Sequence, residues 1–183
     1  MASIVHFKII DMKRPNSAFY PAYYEKYIDL VPKTDNVLTE LHNQMMDTID
    51  LVTSLDDETL MSAYAPGKWS ILDILVHLLD VERVLTYRAL SIARGDKTPL
   101  PGFEEENWAK EARANDRKIL NLVKEFSLLR SSTIELFNSF DEKMWLQKGT
   151  ANGNEFIVSS FPYIICGHEI HHRNVIEERY IGK

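Results

Sequence analysis

Four stretches of the chain repeat apolar residues at intervals of three and four, the spacing that lines one face of an α-helix. In the first, residues 35–55, Val37, Leu38, Leu41, Met45, Ile49, Val52 and Leu55 stay in phase. Thr34 or Asp35 is placed to cap it, and His42 falls on its polar side. The second stretch, residues 71–93, follows Ser70-Ile71-Leu72-Asp73, which reads as a capping box, and stops at Gly95. The third covers residues 115–139, with Ile119, Leu122, Val123, Phe126, Leu129, Thr133, Leu136 and Phe137 in phase. The fourth begins near Ser160 to Pro162 and reaches about residue 180, with Phe161, Ile164, Ile165, Val175 and Ile176 on one stripe and Arg179 continuing it.

The segments between these stretches read as breaks. Tyr64-Ala65-Pro66-Gly67-Lys68 is a turn, and residues 97–103 form a loop rich in proline. Asn152-Gly153 is a hairpin signal between two short β-compatible runs ahead of the last helix. Residues 1–33 form an irregular, tyrosine-rich arm with a short helix within 21–30, started by Pro21. The pattern therefore predicts an all-α fold: a four-helix bundle over residues 34–183 with a short β-hairpin-like insertion, and an N-terminal arm packed on it. The second helix is apolar nearly all round in its first half. Such a helix is buried on several sides, either at the centre of the monomer or against a partner subunit.

Composition narrows the setting. A chain of 183 residues fits one domain with a full core. No run approaches the ~18 apolar residues needed to cross a bilayer, and the N-terminus lacks a secretory apolar region. The single cysteine, Cys166, forbids an internal disulfide and suits a cytoplasmic protein. A formal charge of −6 and scattered basic residues argue against a nucleic-acid surface.

The histidines change the picture. Of six in the chain, four are His77 on the second helix and His168, His171 and His172 on the fourth. His168 and His172 are one turn apart, about 40° around the helix, and both lie inside the apolar stripe. A buried histidine is ordinarily a packed, hydrogen-bonded residue. Leaving an imidazole buried without a partner costs on the order of 1–3 kcal/mol, and a divalent cation removes that cost. With His77 as third ligand the set leaves an open coordination position, as catalytic sites do. Imidazole suits Zn, Ni, Fe or Co. A cation held by neutral ligands keeps its charge and can acidify water or activate a thiolate. Asp73, Asp80 and Glu169 are candidates for contacts behind the ligands. Glu82 and Arg83 are expected at the surface or an interface. His171 is at the stripe's margin, and Cys166, about 160° from it, is expected to pack. The run reads His168-Glu169-Ile170-His171-His172, and Glu169, about 100° round the helix from His168, is not expected to ligate.

These residues carry a resemblance. Gly67-Lys68-Trp69-Ser70-Ile71, His77-Leu78-Leu79-Asp80, Ile92-Ala93-Arg94-Gly95-Asp96, Leu100-Pro101-Gly102-Phe103 and Gly167-His168-Glu169-Ile170-His171-His172, in this order, resemble the DinB-like (YfiT) superfamily. The resemblance implies an up-down-down-up bundle, often a homodimer, with His77, His168 and His172 holding a divalent metal. It implies a small-molecule substrate, and either hydrolysis or transfer involving a low-molecular-weight thiol. A non-catalytic dimeric stress-response module with a structural or vestigial metal is the competing expectation.

Overall fold

The computed structural model describes residues 14–182. The first residues of the N-terminal arm therefore lie outside the described part. Short 3-10 turns at Ser17–Phe19 and Ala22–Tyr24 lead into α1 (Glu25–Ile28). Then come α2 (Val37–Thr53), α3 (Asp57–Met61), α4 (Ile71–Ala93), α5 (Glu105–Ala112), a 3-10 turn (Ala114–Asp116), α6 (Ile119–Asn138) and α7 (Glu142–Trp145). A hairpin of β1 (Lys148–Ala151) and β2 (Asn154–Ile157) precedes α8 (Ser160–Ile176), which ends in a π-helical turn, Glu177–Ile181.

The four long helices form the bundle. Both α2 and α4 pack against α6 and α8, so the ring runs α2, α6, α4, α8. Helix α4 also touches α3, α5, α7 and β1. Its apolar girth is thus covered within one chain. The capping box is present in both directions: Ser70 Oγ accepts from the Asp73 amide at 3.0 Å, and Asp73 Oδ2 accepts from the Ser70 amide at 2.9 Å.

Three details depart from the sequence reading. Asn36, rather than Thr34 or Asp35, caps α2, accepting from the Leu38 and Thr39 amides. Helix α6 starts at Ile119 because Lys118 stays extended (φ −81°, ψ 137°) after the Ala114–Asp116 turn. Helices α3, α5 and α7 stand in segments to which the sequence pattern assigns no element; each is too short or too polar to show a stripe. The hairpin turns at Asn152 (φ 47°) and Gly153 (φ 73°), the left-handed pair a two-residue turn requires.

The core divides into two apolar clusters along the bundle axis. One holds Leu41 of α2, Leu85 and Ile92 of α4, Phe137 of α6 and Phe161 of α8. The other holds Met45, Val52, Leu75, Leu79, Leu122, Phe126 and Ile176. Between them each long helix contributes buried polar groups: Thr48, then His77 and Glu82, then Arg130 and Thr133, then His168 and Glu169. The bundle places its chemistry in this middle layer.

Helix α1 docks on α8, and Gly167 makes the approach possible. A Cβ at Gly167 would lie 1.9 Å from the Tyr27 carbonyl oxygen. Tyr27 and Ile28 are buried by this contact.

Candidate metal centre

His77 enters the middle layer from α4, and His168 and His172 enter from α8. His77 Nε2 lies 3.1 Å from His168 Nε2, which in turn lies 3.1 Å from His172 Nε2. One ligand atom from each ring falls within 4.8 Å of the others. Hydrogen bonding alone satisfies this arrangement poorly. His168 Nε2 carries either one proton or one in-plane lone pair, so it pairs well with one neighbour and not with both. A cation fits better. Nitrogens about 2.0–2.1 Å from one ion, at angles from octahedral to tetrahedral, stand roughly 2.9–3.4 Å apart.

The rings are neutral at physiological pH. Burial holds His77 down to about 4 and, joined by the neighbouring His77 and His171 and by Lys26, holds His172 down to about 3. Burial, then the adjoining rings, pushes His168 well below the ordinary value. Neutral imidazole is the form that ligates. The sign of the pH dependence follows. An unfolded chain takes up protons at these rings near pH 6.5, while the folded metal-free chain does not. Metal-free protein should therefore keep its full stability above about pH 6.5 and lose it as pH falls towards 4. Chemical denaturation at stepped pH checks this, and a flat profile over that window counts against neutral buried rings.

Aromatic rings support the histidines. Trp69 packs against His77 with ring centroids 4.7 Å apart, and Tyr27 meets His168 edge-on at 5.2 Å. Trp69 is itself held: its indole N–H donates to Glu106 of α5 at 3.1 Å, and Tyr180 O–H donates to its carbonyl at 2.6 Å. A cavity of about 250 Å³ reaches His172 from solvent, lined among others by Tyr64, Lys68, Trp69, Ile74, Glu106 and Tyr180.

The remaining sequence candidates have other partners. Asp73 serves the α4 capping box. Asp80 lies 3.5 Å from Arg83 at the half-exposed edge of α4. Glu169 is buried against Arg130 at 2.8 Å and accepts from Thr48 at 2.7 Å, rather than facing the histidines' open side. His171 is half-buried and stacks edge-on against Tyr27 and His172. Cys166 is free and buried in the apolar core, where burial pushes its thiol up. Arg83 pairs with Glu125 at the surface. Glu82 is not at a surface: it is 2% exposed and paired with Arg130. Arg130 went unnoticed in the sequence, although it falls four residues after Phe126 and three before Thr133, inside the α6 stripe.

The bundle brings three neutral histidines together between facing helices, one of them on an open cavity, and such a set can hold a divalent cation. The chain belongs to the DinB superfamily, which residues 40–176 match. Two curated relatives match a shorter stretch. "Putative metal-dependent hydrolase OB0413" of Oceanobacillus iheyensis is 34% identical over 67 residues, 36% of this chain and 38% of that protein. A likewise named protein of Geobacillus thermodenitrificans is 34% identical over 68 residues, 37% of this chain and 38% of the relative. The chain thus spans little more than a third of the length of either relative. Among solved structures, YfiT from Bacillus subtilis superposes with a TM-score of 0.67 at 15% identity, covering 91% of this chain and 90% of its own. It is described as a probable metal-dependent hydrolase with an unusual four-helix bundle topology. At that identity the likeness establishes the four-helix bundle fold.

Proposed function

We propose that this protein is a metal-dependent hydrolase of small molecules in which His77, His168 and His172 hold one divalent cation, drawn from Zn, Ni, Fe and Co. The observation that carries this reading is the convergence of three neutral rings beside a cavity open to solvent. A purely structural site would normally be closed by a fourth protein ligand. A cation bound there acidifies water and polarises a substrate oxygen.

The chain's own residues bind and orient. Trp69, Tyr64 and Tyr180 offer ring faces to a compact, largely apolar body, and the cavity's volume suits a small molecule. Burial pushes the Tyr180 phenol up to about 12, so it stays protonated and holds the Trp69 backbone. Lys68 and Glu106 give the rim both charges. The same open position accepts a thiolate, which would turn the site to S-transfer. We place the protein in the cytoplasm as a homodimer, in keeping with its one buried, free cysteine and with the exposed Leu120 and Leu128 of α6. Sedimentation of the metal-loaded protein tests the dimer.

Protein purified without an affinity tag should carry close to one equivalent of metal per chain by elemental analysis. Loaded protein should hydrolyse members of a panel of small esters, amides and lactones, and chelation should abolish the rate. Acceleration only when a low-molecular-weight thiol and monochlorobimane are supplied would assign transfer instead. Metal whose removal lowers the melting temperature sharply, with no turnover in either assay, would assign the non-catalytic module.

A further inference from the structure

Five groups in the middle layer tie all four long helices together. Arg130 of α6 donates from Nε to both Glu82 carboxylate oxygens of α4, at 3.1 and 3.2 Å, and from Nη2 to Oε2 at 2.9 Å. Its Nη1 donates to the Leu41 carbonyl of α2 at 2.5 Å and lies 2.8 Å from Glu169 Oε2 of α8. Thr48 of α2 donates to the other Glu169 oxygen at 2.7 Å. Arg130 and Glu169 are 1% exposed, and Glu82 is 2% exposed. The two carboxylate-bearing helices are the two that carry the histidines.

Stability does not account for this set. Taking three charges out of water costs about what their attraction returns, and apolar side chains of similar volume often do as well or better. Geometry does account for it. Glu169 follows His168 directly, about 100° further round α8. While Glu169 is held by Arg130 and Thr48, a turn of α8 about its axis breaks a buried ion pair and the Thr48 hydrogen bond. A turn of about 10° moves a ring nitrogen by roughly 1 Å. Metal–ligand distances tolerate about 0.2 Å.

We propose that Arg130, with Glu82, Glu169 and Thr48, is a buried ionic latch that fixes the rotation of α8 against α4 and thereby positions His168 and His172 opposite His77. Arg130 is a positioning residue in this role and touches no ligand ring. The inference rests on the three-histidine metal reading above.

The test measures zinc affinity by competition with a chromophoric chelator, and the visible spectrum of the cobalt-loaded protein, in Thr48→Val, Glu169→Gln and Arg130→Met. Thr48→Val removes one hydroxyl at nearly constant shape, so it keeps the test decisive if Arg130→Met does not fold. Arg130→Met should weaken zinc binding by about 10–100-fold, the range for losing a partner that orients ligands. Thr48→Val and Glu169→Gln should weaken it by several-fold, and the cobalt bands should shift in each folded variant. Phe137→Leu, placed in the apolar cluster against Phe140 and Trp145, is the control. It should lower the melting temperature without moving affinity or spectrum. Unchanged affinity and spectrum in folded Thr48→Val and Glu169→Gln would overturn the latch alone. A wild-type protein that binds neither metal would remove the site reading itself.

Discussion

His172→Ala is expected to strip the cation from the site while the bundle stays folded. Zinc held by four side chains in small domains is bound by roughly 10–16 kcal/mol. One ligand is then worth on the order of 3 kcal/mol, about a hundredfold in affinity. The structural cost should be small. His172 lines the open cavity, so water can occupy the vacated space, and alanine is the best helix former. The lost ring is also one that burial holds neutral, its Nε2 crowded against His168 Nε2. Elemental analysis of dialysed protein should therefore show little metal, beside a circular-dichroism spectrum and a metal-free melting temperature close to wild type. His42→Ala, on the exposed face of α2, should retain wild-type metal. Full occupancy in the His172 variant would mean that the cation sits elsewhere.

The four long helices were legible because each buries one continuous stripe, which the apolar spacing records directly. The bounds of α4 could be read to the residue, since a reciprocal cap and a following glycine mark both ends. The short helices left no such record. Residues 57–61 and 142–145 are single turns held by aspartate caps, and half of α5 is charged. His168 and His172 were legible as a pair because a helix converts an interval of four into a shared face, while His77 joined them through the family resemblance. What joins different helices was not. Glu82 is an acid on a helix face until Arg130, 48 positions away in sequence, arrives beside it. Trp69 and Glu106 meet across 37 positions, with all of α4 between them. Pairings at such separation depend on how helices stack, and no local interval encodes them.

Gly167 shows the same limit and sets up an opposed pair of effects. Considered as a helix residue, Gly167→Ala should stabilise α8, because glycine in a helix interior costs about 1 kcal/mol relative to alanine. Considered as a packing surface, it should do the reverse. The new methyl would sit 1.9 Å from the Tyr27 carbonyl oxygen, and that atom is backbone, so no rotamer change relieves the contact. Overpacking typically costs about 1–3 kcal/mol, and a backbone obstacle belongs at the upper end. The steric effect wins by about 2 kcal/mol, or a melting temperature lower by roughly 4–8 °C for a chain of this size. Because α1 is a single turn at the edge of the bundle, the strain should be relieved by lifting α1 rather than by parting the long helices. Tyr27 would then leave His168. Limited proteolysis should cut preferentially between residues 20 and 36, and metal affinity should fall with the loss of that ring from the site. A variant that melts at or above wild type, with the segment still protected, would show that α1 does not rest on α8 through Gly167.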